Sequence, residues 1–183
     1  MTIVGNGDIA SALHEGGVDR DDLLFFAAGV SNSSETRESE YQRELDLLNS
    51  IPKTAHIVYF SSLCIYYSGT RYMRHKSAVE NYIRRNWACP SGRLDCPVRG
   101  IGQYTVMRLG NITWGNNPHT LINYLRAHPD ASIQDTYRYI LDKEEFWHWL
   151  RLIPHWNCEM NIPGRRMLVK DIYREFVSEW QPA

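Results

Sequence analysis

Tyr72 and Lys76 stand four residues apart in Tyr72-Met73-Arg74-His75-Lys76. On a helix that spacing puts both side chains on one face. An ammonium beside a phenol favours the phenolate, so the tyrosine can give and take a proton near neutral pH. Ser62, at the end of the preceding apolar run, offers a hydroxyl to a substrate oxygen. A second constellation is Gly5-Asn6-Gly7-Asp8-Ile9-Ala10, a GxGxxG/A pattern that follows Thr2-Ile3-Val4. Gly5 permits a tight turn, Gly7 lets the backbone approach a pyrophosphate, and the small Ala10 lets the next helix pack close. The helix start would turn free N–H groups toward the phosphates. Asp8 is at odds with this. A carboxylate suits a helix N-terminus, but here it sits near where two phosphates would go.

These residues need elements to hold them. Residues 23–28 form a continuous apolar run of buried-strand length, and residues 55–60 form another, ending at Ser61-Ser62. Residues 35–49 carry Tyr41, Leu45 and Leu48 at helical spacing and stop before Pro52. Residues 72–87 read as a helix, 88–102 as an irregular loop and 104–109 as a strand. Residues 118–128 read as helix, 133–141 as extended, 143–152 as helix, 161–162 as briefly extended and 168–180 as helix. This alternation predicts an α/β fold: a Rossmann-like, doubly wound parallel sheet with right-handed crossovers. Ligands bind such sheets at the carboxyl ends of the strands, which selects Gly5-Asn6-Gly7, Ala28-Gly29, Ser61-Ser62 and Gly110-Asn111. The expected organisation is a reduced Rossmann-like domain over 1–117, with a small substrate lobe over 118–183 packed on it as one unit.

Composition narrows the function classes. The 183 residues carry 20 Lys plus Arg against 21 Asp plus Glu, a balance that argues against a dedicated nucleic-acid binder. No apolar run approaches a membrane span and no signal peptide is visible, so a cytoplasmic protein is expected. The cysteines Cys64, Cys89, Cys96 and Cys158 form no CxxC pair and no zinc pattern. Cys89 and Cys96 are close enough for a loop disulfide, while reduced thiols are the ordinary state of an intracellular protein. Glu145 and His148 have a metal-pair spacing without an evident third ligand, so no metal site is expected. Trp147, Trp149 and Trp156, with Leu150, Leu152 and Ile153, are expected to form the core of the small lobe.

Several stretches resemble one family. Val58-Tyr59-Phe60-Ser61-Ser62-Leu63-Cys64-Ile65-Tyr66 resembles the "vyfSSxxvYg" segment of the extended short-chain dehydrogenase/reductases, the NAD-dependent sugar epimerase/dehydratase group. Residues 72–84 (YMRHKSAVENYIR) resemble their "YxxsKxxaExxi" helix, and residues 104–112 their "yxilRlxNvyGpn" segment. Leu24-Phe25-Phe26-Ala27-Ala28 is similar to "vihlAA", and Asn161-Ile162-Pro163-Gly164 to a late "yNvg" step.

The resemblance implies an oxidoreductase that uses NAD or NADP on a nucleotide-sugar. Tyr72 would be its acid and base. Lys76 would lower the pKa of Tyr72 and hold the nicotinamide ribose, and Ser62 would orient the substrate oxygen. Gly5, Gly7, Ala10, Ala27 and Ala28 would line the cofactor, and Asn111 would contact the nucleotide-sugar. It also implies a homodimer through helices 35–49 and 72–87. Two departures stand out. The family has two further β-α units after the glycine turn, and this chain has no acidic residue placed for an adenosine ribose. The interval from Ser62 to Tyr72 is also short, which trims the loop over the substrate. A rival reading keeps the scaffold without redox chemistry, as a nucleotide- or partner-binding module.

Overall fold

The computed structural model describes residues 1–67, 69–87, 102–128 and 135–178. The chain runs β1 (Thr2–Val4), α1 (Asp8–Glu15), β2 (Leu23–Phe26), α2 (Glu38–Ser50), β3 (His56–Ser62), a 3-10 turn (Leu63–Tyr66), α3 (Arg71–Trp87) and β4 (Tyr104–Leu109). It continues through β5 (Asn111–Ile112), α4 (Leu121–Ala127), β6 (Tyr137–Leu141), α5 (Lys143–Arg151), β7 (Cys158–Ile162), β8 (Arg165–Leu168) and α6 (Val169–Phe176). Five strands form one sheet in the order β1-β2-β3-β4-β7, and every pair is parallel.

The strand sequences explain the layers. Successive side chains alternate between faces. Phe25, Val58, Phe60 and Met107 pack with Ala12 and Leu13 of α1 and with Phe146 and Leu150 of α5. Phe26, Ile57, Tyr59 and Val106 pack with Leu48 of α2 and with Val79, Ile83 and Trp87 of α3. Both faces are covered, so β2 and the middle of β3, residues 57–60, are apolar. This is a Rossmann-like α/β sheet. Trp147 donates its indole N–H to the Ala12 carbonyl at 2.7 Å, which ties α1 to the α5 layer. The tail aromatics Phe146, Trp147 and Trp149 thus pack on the main sheet rather than in a lobe of their own.

The crossovers differ from expectation. Strand order advances from β1 to β4 without reversing, yet α1 lies on one face and α2 and α3 on the other. The β1–α1–β2 unit therefore has the opposite hand to the two units after it. With those two right-handed, as nearly all such units are, β1–α1–β2 is left-handed. The return from α1 runs through residues 16–22 directly into the neighbouring strand. No strand lies beyond β1 among the described residues, so the sheet stops there.

A second sheet joins β5, β6 and β8, with β5 parallel and β8 antiparallel to β6. Ile122, Leu125, Ile140, Val169 and Ile172 form its core with α4 and α6. A boundary at 117/118 would put residues 158–162 in the small lobe; they stand instead at the edge of the main sheet as β7. Helix α4 starts later than expected because Thr120 is its N-cap, accepting the Asn123 N–H at 3.4 Å. Cys89, Cys96, Ile133 and Trp180 lie outside the described residues.

Candidate functional site

Past the end of β1 the chain turns to one face of the sheet, and past β2 it turns to the other. Such a divergence opens a crevice at the carboxyl ends of the strands. A cavity of about 720 Å³ lies there, within the usual size range of ligand sites. Gly5, Gly7, Ala27, Ala28, Ser62, Tyr72, Lys76 and Asn111 all line it. Ala10 does not. It is buried within α1 and off the cavity wall, so its part is helix packing rather than contact.

Gly5 makes the turn possible. Its φ is +127°, and a Cβ there would stand 2.5 Å from the backbone C and O of Ala27. Only glycine combines that conformation with that approach. Asn111 lines the cavity with its amide already committed: Nδ2 donates to the Tyr139 carbonyl at 3.0 Å. Ser61, beside Ser62, has a buried Oγ without a hydrogen-bond partner among the described residues, and it lines the same cavity. A buried polar atom left unpaired costs about 1–3 kcal/mol.

The reactive centre departs from the expected electrostatics. Ser62 Oγ accepts the Cys64 N–H at 3.3 Å, which leaves its proton available. Lys76 Nζ stands 5.7 Å from the centre of the Tyr72 ring. Its hydrogen bonds go elsewhere, to Glu44 Oε1 at 3.2 Å and to the Tyr59 hydroxyl at 3.0 Å. Burial, and then the Glu44 charge, push the Tyr72 phenol well above its ordinary pKa. The phenolate expected from the Tyr72–Lys76 spacing is therefore not favoured: burial opposes it first, the Glu44 charge second, and the Lys76 ammonium is already paired with Glu44.

Glu44 is the residue that the sequence did not single out. Its side chain is closed to solvent. It accepts the Val30 N–H at 2.7 Å and the Tyr59 hydroxyl at 2.6 Å, and His75 Nε2 lies 3.1 Å from it. Burial pushes its carboxyl up, but the Lys76 charge and these hydrogen bonds outweigh that and hold it well below the usual carboxylate range. Gly29 lies directly over the pair, where a Cβ would stand 2.6 Å from Lys76 Nζ.

Asp8, the residue at odds with a phosphate site, is clasped from above. Its two carboxylate oxygens accept the Asn116 and Asn117 N–H groups at 3.0 and 3.1 Å. The Trp114 indole donates to its carbonyl at 3.2 Å, and Asn117 Nδ2 reaches Ser31 Oγ at 2.9 Å. The loop after β5 thereby crosses from the start of α1 to the loop after β2.

No family model matches the chain, and no curated protein matches it. Solved structures do. UDP-galactose 4-epimerase aligns at 16% identity and a TM-score of 0.57, over 87% of this chain and 62% of that one. RMD from Pseudomonas aeruginosa, complexed with NADPH, aligns at 16% and 0.59, over 93% and 70%. WbmG from Bordetella bronchiseptica, complexed with NAD and UDP, aligns at 13% and 0.58, over 97% and 65%. The chain has the fold of these structures, in shortened form. It spans less than two thirds of the UDP-galactose 4-epimerase chain, and among the described residues its sheet has no strand beyond β1.

A second ionic group joins α3 to β4 and β7. Arg108 donates to Glu80 Oε2 at 2.6 Å and Oε1 at 3.0 Å, to Glu159 Oε2 at 2.5 Å and to the Tyr66 hydroxyl at 2.7 Å. Arg84 reaches both carboxylates as well. No helix among the described residues is long and apolar enough to cross a membrane. Glu145 accepts the Trp149 indole N–H at 3.3 Å, and no cluster of three metal-ligating side chains occurs among the described residues.

Proposed function

We propose that the chain is an oxidoreductase of the epimerase/dehydratase kind, acting on a nucleotide-sugar with NAD or NADP, and with Tyr72 as acid and base. The observation that carries this reading is that Ser62, Tyr72 and Lys76 line the same cavity as the glycine turn. The Ser61 Oγ on that wall, without a partner among the described residues, supports a polar ligand edge such as a nicotinamide amide. Gly5, Gly7, Ala27 and Ala28 would lie along the cofactor, and Lys76 would meet its ribose. When bound, the cofactor supplies or accepts the hydride.

The protein's own part is handling of the proton. Tyr72 holds its phenolic proton at neutral pH, ready to give it to a sugar carbonyl oxygen as that oxygen gains charge. Ser62, whose proton is available, hydrogen-bonds the same oxygen, and Asn111 faces the sugar nucleotide. The reverse direction requires Tyr72 to take a proton. For that, Lys76 must give up part of its contact with Glu44 to stabilise the phenolate. The proposal includes a homodimer through α2 and α3, which the ion pair of Arg71 and Glu38 already holds side by side.

Turnover of UDP-sugars in wild type and Tyr72→Phe tests the reading. A loss of about 100-fold or more is expected, in the range of positioned acid–base catalysis. NADH binding, followed by tryptophan fluorescence, should change less than twofold. Unchanged turnover in Tyr72→Phe would overturn the assignment. The second reading is a nucleotide-binding module without redox chemistry, and the Glu44–Lys76 pair favours it. Saturable UDP-sugar binding without any nicotinamide nucleotide binding supports that module.

A further inference from the structure

We infer that the cavity selects the mononucleotide half of a nicotinamide cofactor, and that Asp8 is the residue that sets this limit. The inference rests on the nicotinamide reading of the site and narrows it. Three observations lead to it.

The first is the clasp. Backbone N–H groups in a tight turn are what a phosphate seeks. Here the Asn116 and Asn117 N–H groups are both taken by the Asp8 carboxylate. The protein's own anion fills the nest, on the first residue of α1, beside the glycine turn. Gly115, at φ +89°, packs so closely on Asp8 that a side chain there would collide with its carboxylate. A second phosphate in this place would meet a like charge and find its donors occupied.

The second is the strap. The bond from Asn117 to Ser31 carries the loop over the gap between the start of α1 and the loop after β2. A dinucleotide running out between these two cavity-lining residues would have to break this bond.

The third is the edge. Among the described residues the sheet has no strand beyond β1, and the chain returns from α1 directly into β2. Beyond the glycine turn no described strand remains on which an adenosine could lie. A ligand that ends at its first phosphate loses nothing by this.

Binding of reduced nicotinamide mononucleotide and of NADH to the full chain, read by quenching of tryptophan fluorescence and by calorimetry, tests the inference. The mononucleotide should bind as tightly as NADH or more tightly. Asp8→Asn keeps the side-chain shape and removes the charge. It should strengthen NADH binding about tenfold, while mononucleotide affinity moves less than threefold. Wild type that binds NADH more than threefold tighter than the mononucleotide overturns the inference and leaves the proposed function standing. An unchanged ratio in Asp8→Asn removes Asp8 as the cause. Wild type that saturates with UDP but with neither nicotinamide nucleotide overturns the proposed function, and this inference with it. The wild-type comparison stands even if the variant fails to fold.

Discussion

Glu44 Oε1 and Lys76 Nζ lie 3.2 Å apart, on side chains almost wholly closed to solvent. Lys76 lines the cavity while Glu44 stays off its wall, and Tyr59 is hydrogen-bonded to both groups. The pairing makes the lysine a neutralised post rather than a free cation. The proton affinity of Tyr72 then depends on how tightly Glu44 keeps its hold.

Replacing Glu44 with Gln tests that dependence. The amide keeps the shape but leaves the Lys76 ammonium buried without a counter-charge. Breaking a buried pair from one side costs roughly 3–5 kcal/mol. Urea unfolding at pH 7 should show a loss of that order. A loss below about 1 kcal/mol would mean that water or another group already balances Lys76. In the same variant the Tyr72 phenol loses a nearby negative charge, so the pH profile of turnover should move toward acid.

The contrast between what was legible and what was not is physical. Residues 23–26 and 56–60 announce themselves as strands because a strand buried on both faces has no room for polar alternation. The sequence does not say to which face α1 turns. Its apolar stripe would serve either side, and only its contact with Phe25 and Trp147 decides. β5 and β8 are too short to carry a period. Glu44 sits among Glu40, Arg43 and Asp46 and looks like one more solvated charge. Its burial follows from Val30, Tyr59 and Lys76, which other elements bring in. Asp8 was visible as a misfit, but the N–H groups that hold it come from a loop more than 100 residues away.

Two glycines in one turn should respond differently to alanine. Gly5 has a positive φ and meets the Ala27 backbone. Gly7 has φ −85° and open space around its Cα. Gly5→Ala should cost more than the roughly 1–3 kcal/mol of backbone strain alone and should abolish ligand quenching of tryptophan fluorescence. Gly7→Ala should cost under about 1 kcal/mol. Equal effects in thermal unfolding would show that the tight approach to β2 is not what fixes the turn.

The Arg108 network invites a double-mutant test. Arg108→Met leaves Glu80, almost fully buried, without its main counter-charge. A loss of roughly 3–5 kcal/mol is expected. Adding Glu80→Leu removes the stranded carboxylate and should restore much of that loss, because apolar replacement of a buried pair is often neutral. If the two losses instead add, the groups do not act as a unit.

Stability should fall in two separate steps as pH is lowered. His56 is buried beside Thr105, with Nε2 3.0 Å from Oγ1, and burial lowers its pKa to about 4 from the ordinary 6.5. The unfolded chain therefore binds a proton at His56 between about pH 6.5 and 4 while the folded chain does not. Stability rises with pH across that window and is lost as pH falls through it, by on the order of 3 kcal/mol in full. The carboxylates act lower. Hydrogen bonds from Arg84, opposed by burial and aided by Arg108, hold Glu159 at about 2. Its contribution, like that of Glu44, is present above the ordinary carboxylate pKa and is lost as pH falls below about 4.5. Urea midpoints measured from pH 7 to pH 3 should show both steps. His56→Gln should flatten the step between pH 6.5 and 4.5 and leave the lower one in place. If the variant keeps the upper step, a group other than His56 produces it.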